Sequence, residues 1–213
     1  MHGNKMLWLG LLGSILGCIA DVFLLYHPSG HYLDPHYSFL KEISYPRLLA
    51  GHYVGILAIP LELIGFHYLI HSVITPRSRA YLFFFLSCSI LIAGVAYHGI
   101  IGIYSTIIKE VELGPSTTIQ LKSFFEPLGY VLFLGFTILS ASIFYYIYRG
   151  YTPYPKSYAW VNPFLFYLAI FLLYISFPLV GNLLIVAGFN LSILLFFAFY
   201  QFIAHNKDCI KIE

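Results

Sequence analysis

The feature that most constrains this chain is a succession of six apolar runs, at 6–26, 48–73, 80–104, 128–148, 158–177 and 179–204. The hydrocarbon core of a bilayer, ~30 Å thick, takes about 20 apolar residues as a helix, so each run has the length of one crossing. Lipid offers no partner to backbone N–H and C=O groups, and a helix satisfies them within its own segment. The expected fold is therefore all-α: a six-transmembrane-helix bundle forming a single integral membrane domain over 1–213. The last apolar stretch is too long for one crossing, and Pro178 with Gly181 divides it into a fifth and a sixth helix. Composition agrees, because only 9% of the 213 residues are charged, against about 25% in an ordinary soluble domain.

Lys and Arg set the expected orientation. With the N-terminus inside, the inner side holds Lys5, Arg77, Arg79, Arg149, Lys156, Lys207 and Lys211, and the outer side holds Lys41, Arg47, Lys109 and Lys122. Seven against four favours N-in and C-in. The first run follows a short head containing Lys5 and is too long for a signal peptide, so it reads as an uncleaved span. The expected location is the cell membrane, multi-pass, on the pattern of a bacterial inner-membrane protein. Two outer segments are long, His27 to Pro46 and Ser105 to Glu126, and either is suited to lie on the interface.

Several classes fall away. A net charge of +2 with scattered basic residues is no grip for nucleic acid. Cys18, Cys88 and Cys209 form neither a CxxC pair nor an even disulfide framework. There is no G-x-S-x-G elbow, H-E-x-x-H, Walker lysine loop or G-x-G-x-x-G fingerprint. Oligomeric state is not legible.

Ionisable groups inside the runs point to a site, since each costs at least ~2.5 kcal/mol in hydrocarbon and needs a partner or a water-filled cavity. They are Asp21, His52, Glu62, His67, His71 and His98, all in the first three helices. At 1.5 Å per residue, Asp21, His52 and His98 each lie ~8 to 9 Å below the outer end of their helix, hence in one layer. Arg47 and Glu126 stand just above that layer, and Glu62 lies deeper along the second helix. Gly13 and Gly17, and Gly51 and Gly55, are small residues at four-residue spacing, which suits close helix approach.

The layer admits several readings: a structural polar knot, a metal site with Asp21, His52 and His98 as ligands for zinc or iron, proton or cation handling, and haem between His52 and His98. His67 and His71 share a helix face, though interfacial histidines explain them better than a metal clip. The loop residues His27, His31, His36 and Asp34 read as a solvated stretch.

The stretch Gly17-Cys18-Ile19-Ala20-Asp21, then Pro46-Arg47-Leu48-Leu49-Ala50-Gly51, then Ala96-Tyr97-His98 resembles an uncharacterised bacterial family of small polytopic membrane proteins. The resemblance covers roughly the first half and implies that Asp21, Arg47 and His98 belong to the family pattern, without implying an activity. His52 followed at ten residues by Glu62 is also similar to membrane-embedded zinc amidases of the alkaline ceramidase type, but their C-terminal His-x-x-x-His has no counterpart here.

The expectation is an outward-opening polar pocket between helices one, two and three that binds a small amphipathic molecule or lipid. Asp21, His52 and His98 form its floor, and Arg47 takes an anionic head group. Were it an enzyme, metal-assisted hydrolysis with Glu62 or Glu126 as acid/base would be the first reading. A proton- or cation-coupled transporter and a non-catalytic membrane scaffold are the alternatives.

Overall fold

The computed structural model describes residues 2–28, 37–74, 76–111, 115–152 and 154–209. Eight α-helices follow one another: α1 (His2–Leu25), α2 (Tyr45–Val73), α3 (Arg77–Glu110), α4 (Pro115–Lys122), α5 (Glu126–Tyr148), α6 (Pro163–Ser176), α7 (Pro178–Val186) and α8 (Gly188–Cys209). Two 3-10 turns, Ser38–Glu42 and Lys156–Trp160, complete the described structure, which contains no strand.

Four segments are long and apolar enough to cross a bilayer, Lys5–Leu25, Tyr45–Val73, Arg77–Glu110 and Ser116–Tyr148, and α7 with α8 makes a fifth if the bent pair is one span. This is the pattern of a multi-pass membrane protein. Large apolar side chains face outward on every described long helix, Leu179 at 94% exposure being the extreme. Such a surface suits acyl chains and not water.

The first four predicted runs correspond to α1, α2, α3 and α5, and α3 continues to Glu110 past the predicted end at 104. Helical hydrogen bonding continues past that point, up to Val111 N, which donates to Ile107 O at 2.9 Å, and Lys109 Nζ ties the extension down by donating to Lys41 O and Ile43 O. The last two runs are reshaped. Over 158–177 the chain makes a 3-10 turn and starts α6 afresh at Pro163. Asn162 caps it, accepting from Phe164 N at 3.0 Å while its Nδ2 donates to Ser140 O at 2.7 Å. With 14 residues, α6 is ~21 Å long, short of a full crossing. Over 179–204 the expected single helix is two, α7 and α8, bent by 77° at Ala187.

Antiparallel α1 and α2 pack backbone to backbone. A Cβ on Gly10 would lie 2.7 Å from Gly65 Cα, and one on Gly13 would lie 2.7 Å from Glu62 N. Only residues without side chains let helix axes come so near. The principal core joins α2, α3, α5 and α8 through Phe66, Ile70, Ile90, Phe136, Ile143, Phe196 and Phe197. A second core clamps the 3-10 turn at 38–42 onto the ends of α1, α2 and α3, burying Leu40, Ile43 and Phe125 completely.

Candidate functional site

Asp21 sits one turn from the end of α1, 7% exposed. Its Oδ1 lies 3.2 Å from His98 Nε2 of α3, and its Oδ2 accepts from Asn190 Nδ2 of α8 at 2.7 Å. Three helices thus meet on one carboxylate. Two glycines make this geometry: a Cβ on Gly17 would stand 2.6 Å from the Asn190 side chain, and one on Gly55 would stand 2.6 Å from His98 Nδ1.

Beside this knot, a cavity of about 420 Å³ is lined by Asp21, Glu62, His98 and Glu126 together with Tyr37, Tyr97 and Tyr130. Its apolar wall comes from α5 and α8, with Leu132, Phe133, Phe136, Phe189 and Ile193. Helices beyond the expected first three therefore supply much of the enclosure. Glu62 is 1% exposed, and its Oε1 has no hydrogen-bond partner among the described residues. Its position two residues after Pro60 leaves the backbone locally short of one donor, since proline has no N–H.

Glu126 occupies the first turn of α5, where the helix dipole favours a carboxylate, and its Oε1 lies 2.9 Å from Lys122 Nζ. The same ammonium stands 5.4 Å above the Tyr37 ring. Burial raises the Tyr37 hydroxyl above the usual phenol range, a hydrogen bond with Tyr97 and the Lys122 charge acting against it.

His52 and Arg47 are not on this cavity. His52 lines a separate one of about 230 Å³ between the start of α2 and the end of α3, with Tyr45, Tyr53 and Thr106. There Nδ1 stands 3.3 Å from the His98 carbonyl oxygen, and a Cβ on Gly102 would lie 2.8 Å from it. The depth estimate put His52 in the right layer. It left the azimuth open, and that turns the ring toward the backbone of α3.

Arg47 Nη2 donates to Val22 O at 2.8 Å and Tyr26 O at 2.7 Å. Val22 O already accepts from Tyr26 N at 3.2 Å, and the guanidinium adds a second donor there and one to Tyr26 O just past α1, complementing the negative end of the helix dipole. That use replaces the expected anionic head group. The ligand triad of Asp21, His52 and His98 is likewise not assembled: among the described residues no group of three His, Cys, Asp or Glu stands close enough to hold a metal ion.

The His67 and His71 rings lie with centroids 4.5 Å apart and planes tilted by 40°, both edge-on to Phe84, and His71 Nδ1 lies 2.9 Å from His67 O. Of the loop set, His31, Asp34 and His36 lie outside the described residues. Asn190 is the partner that sequence reasoning passed over. It is one of three amides in the last apolar run, with Asn182 and Gln201, and nothing in the sequence singles it out from them.

No curated protein and no solved structure matches this chain. Residues 1–207 match the family of unknown function DUF6796, so the chain belongs to that family.

Proposed function

We propose that this protein is a membrane-embedded binding protein whose cavity takes a small amphipathic molecule, with α1 starting on the inner side and the cavity mouth at Glu126 facing outward. The observation that carries this reading is the cavity itself, apolar along α5 and α8 and polar where Asp21, His98, Asn190 and Glu62 meet. Its volume falls in the ~300 to 1,000 Å³ range of small-molecule sites, which combine apolar walls with a few placed polar groups.

The proposed orientation keeps the basic residues Arg77, Arg79 and Arg149 inside. Aromatic residues at that end mark it as an interface, where Arg79 Nη1 donates to Tyr146 OH and Tyr145, Tyr148 and Trp160 are exposed. In this reading both chain ends lie inside, with the short α6 running outward and the bent α7–α8 pair returning, which makes an even number of crossings. Metal-assisted hydrolysis is less favoured, because His52 and the Asp21–His98 pair belong to different cavities.

The test uses protein purified in lipid nanodiscs. A Cβ on Gly129 would meet only Tyr97 Cε2 at 3.6 Å, so Gly129→Leu narrows the cavity without striking backbone. Native mass spectrometry is expected to find a small lipid-soluble molecule retained by the wild type and reduced several-fold in Gly129→Leu. Equal retention by two equally folded proteins would sink the reading. For orientation, cysteines placed at 112 and 153 and treated with an impermeant maleimide on intact cells are expected to label at 112 alone.

A further inference from the structure

We infer that the polar end of the occupant is a cation, specifically a protonated amine on an apolar tail. This rests on the binding reading above and gives it a substrate class.

The charges at the cavity are one-sided. Asp21, Glu62 and Glu126 line it, while among its described lining residues there is no Lys or Arg. Three cations near this end are held by other groups of the chain. Arg47 holds the carbonyls of α1, and Lys109 holds those of Lys41 and Ile43. Lys122 is drawn to Glu126 at the mouth. Of the three carboxyl groups, Asp21 has His98 and Asn190, and Glu126 has Lys122. Glu62 is left with an oxygen that no described donor reaches, although the side chain is almost wholly enclosed.

A carboxyl oxygen so placed is matched by a donor brought in by the ligand, and a charge-assisted bond from an ammonium N–H is the strongest such match. The rings of Tyr97, Tyr130, Phe133 and Phe189 on the same cavity add faces that attract a cation and repel an anion. An anionic head group would meet carboxyl groups with no Lys or Arg among the described lining residues, so the site favours a cation over an anion.

The experiment measures binding of octylamine, octanol and octanoate at neutral pH to wild-type, Glu62→Gln and Gly129→Leu proteins in nanodiscs of uncharged lipid. Gly129→Leu serves as the reference for partition into the bilayer. The expected order is amine, then alcohol, then carboxylate, with at least about a tenfold span between the ends. Glu62→Gln is expected to bring the amine down to the alcohol and leave the alcohol unchanged. Octanoate binding as tightly as octylamine, or an amine preference that survives Glu62→Gln, overturns the cationic assignment and leaves the pocket standing. If none of the three binds the wild type better than Gly129→Leu, the pocket reading itself fails. Should Glu62→Gln not fold, the infrared difference spectrum of wild type with octylamine, referenced to Gly129→Leu, replaces it. A shifted carboxyl band supports the inference, and an unchanged carboxyl region overturns it.

Discussion

The two halves of this molecule are held together by largely different means. In α1, α2 and α3 the contacts are close and nearly bare: Gly10 on Gly65, Gly13 on the backbone of Glu62, and Gly55 and Gly102 beneath the rings of His98 and His52. From α5 to α8 most contacts are aromatic, as in Phe136 with Phe189 at 5.2 Å and the stacked pair Tyr167 and Phe189 at 4.6 Å between centroids, with one bare approach where Gly181 of α7 lies on the backbone of Tyr174 in α6. The difference follows from what each half buries. Asp21 and His98 must reach partners on other helices, and that demands short interaxial distances. The second half buries few polar groups, among them Asn162 and Ser192, and bulky rings fill the wider spacing with dispersion contacts.

The largest expected effect breaks the bare contacts. Gly65→Val places a side chain where the α1 backbone already stands, and two backbones cannot yield as a flexible side chain would. It should cost on the order of 3 kcal/mol or more, read as loss of the monodisperse peak in fluorescence-detected size exclusion. A variant as heat-resistant as wild type would mean that α1 and α2 do not touch there.

Next comes the polar knot. Asp21→Ala strands His98 Nε2 and Asn190 Nδ2 together, and removing one partner of a buried pair costs about 3 kcal/mol. Thermal denaturation in detergent checks this, with Asn190→Ala expected to cost no more than about 1 kcal/mol, since Asp21 keeps His98.

Arg47→Ala separates the structural role of the guanidinium from the ligand role. Two charged hydrogen bonds to the end of α1 are lost, a penalty of about 2 kcal/mol, while the affinity of the cavity for octanoate stays where it was. A weaker octanoate affinity at unchanged stability would return Arg47 to the cavity. The smallest effect belongs to the second half: Asn162→Ala removes the cap of α6 and should lower stability by about 1 kcal/mol, measured by the same denaturation.

Much of the helical plan is legible in the residues. Apolar run length places α1, α2, α3 and α5 within a few residues of their cores, because hydrocarbon thickness is an external ruler that the chain must obey. The ruler misses local chemistry. Asn162-Pro163 is a cap and first-turn signal visible in the sequence, yet it lies inside a run that hydropathy treats as continuous. Phe177-Pro178 and Ala187-Gly188 likewise interrupt the helix without interrupting apolarity.

The candidate site is legible in part. Asp21 and His98 stand out as ionisable groups in lipid at matching depth, and they do meet. His52 has the same depth and a different azimuth, and depth is all that a rise of ~1.5 Å per residue supplies. Arg47 looked available because sequence shows a free cation but not the carbonyls at the end of the preceding helix.

Sequence alone determined that this chain is helical, apolar and suited to cross a membrane several times, because solvation of the backbone leaves few alternatives in lipid. It also named the carboxyl and imidazole groups that have to find company there. Which of them share a cavity, and that Asn190 from the far end of the chain completes the Asp21 contact, was decided only by how the helices rotate and pack. Rotation is fixed by steric fit between distant segments, through Gly17, Gly55 and Gly102 above all, and no periodicity within a single segment encodes it.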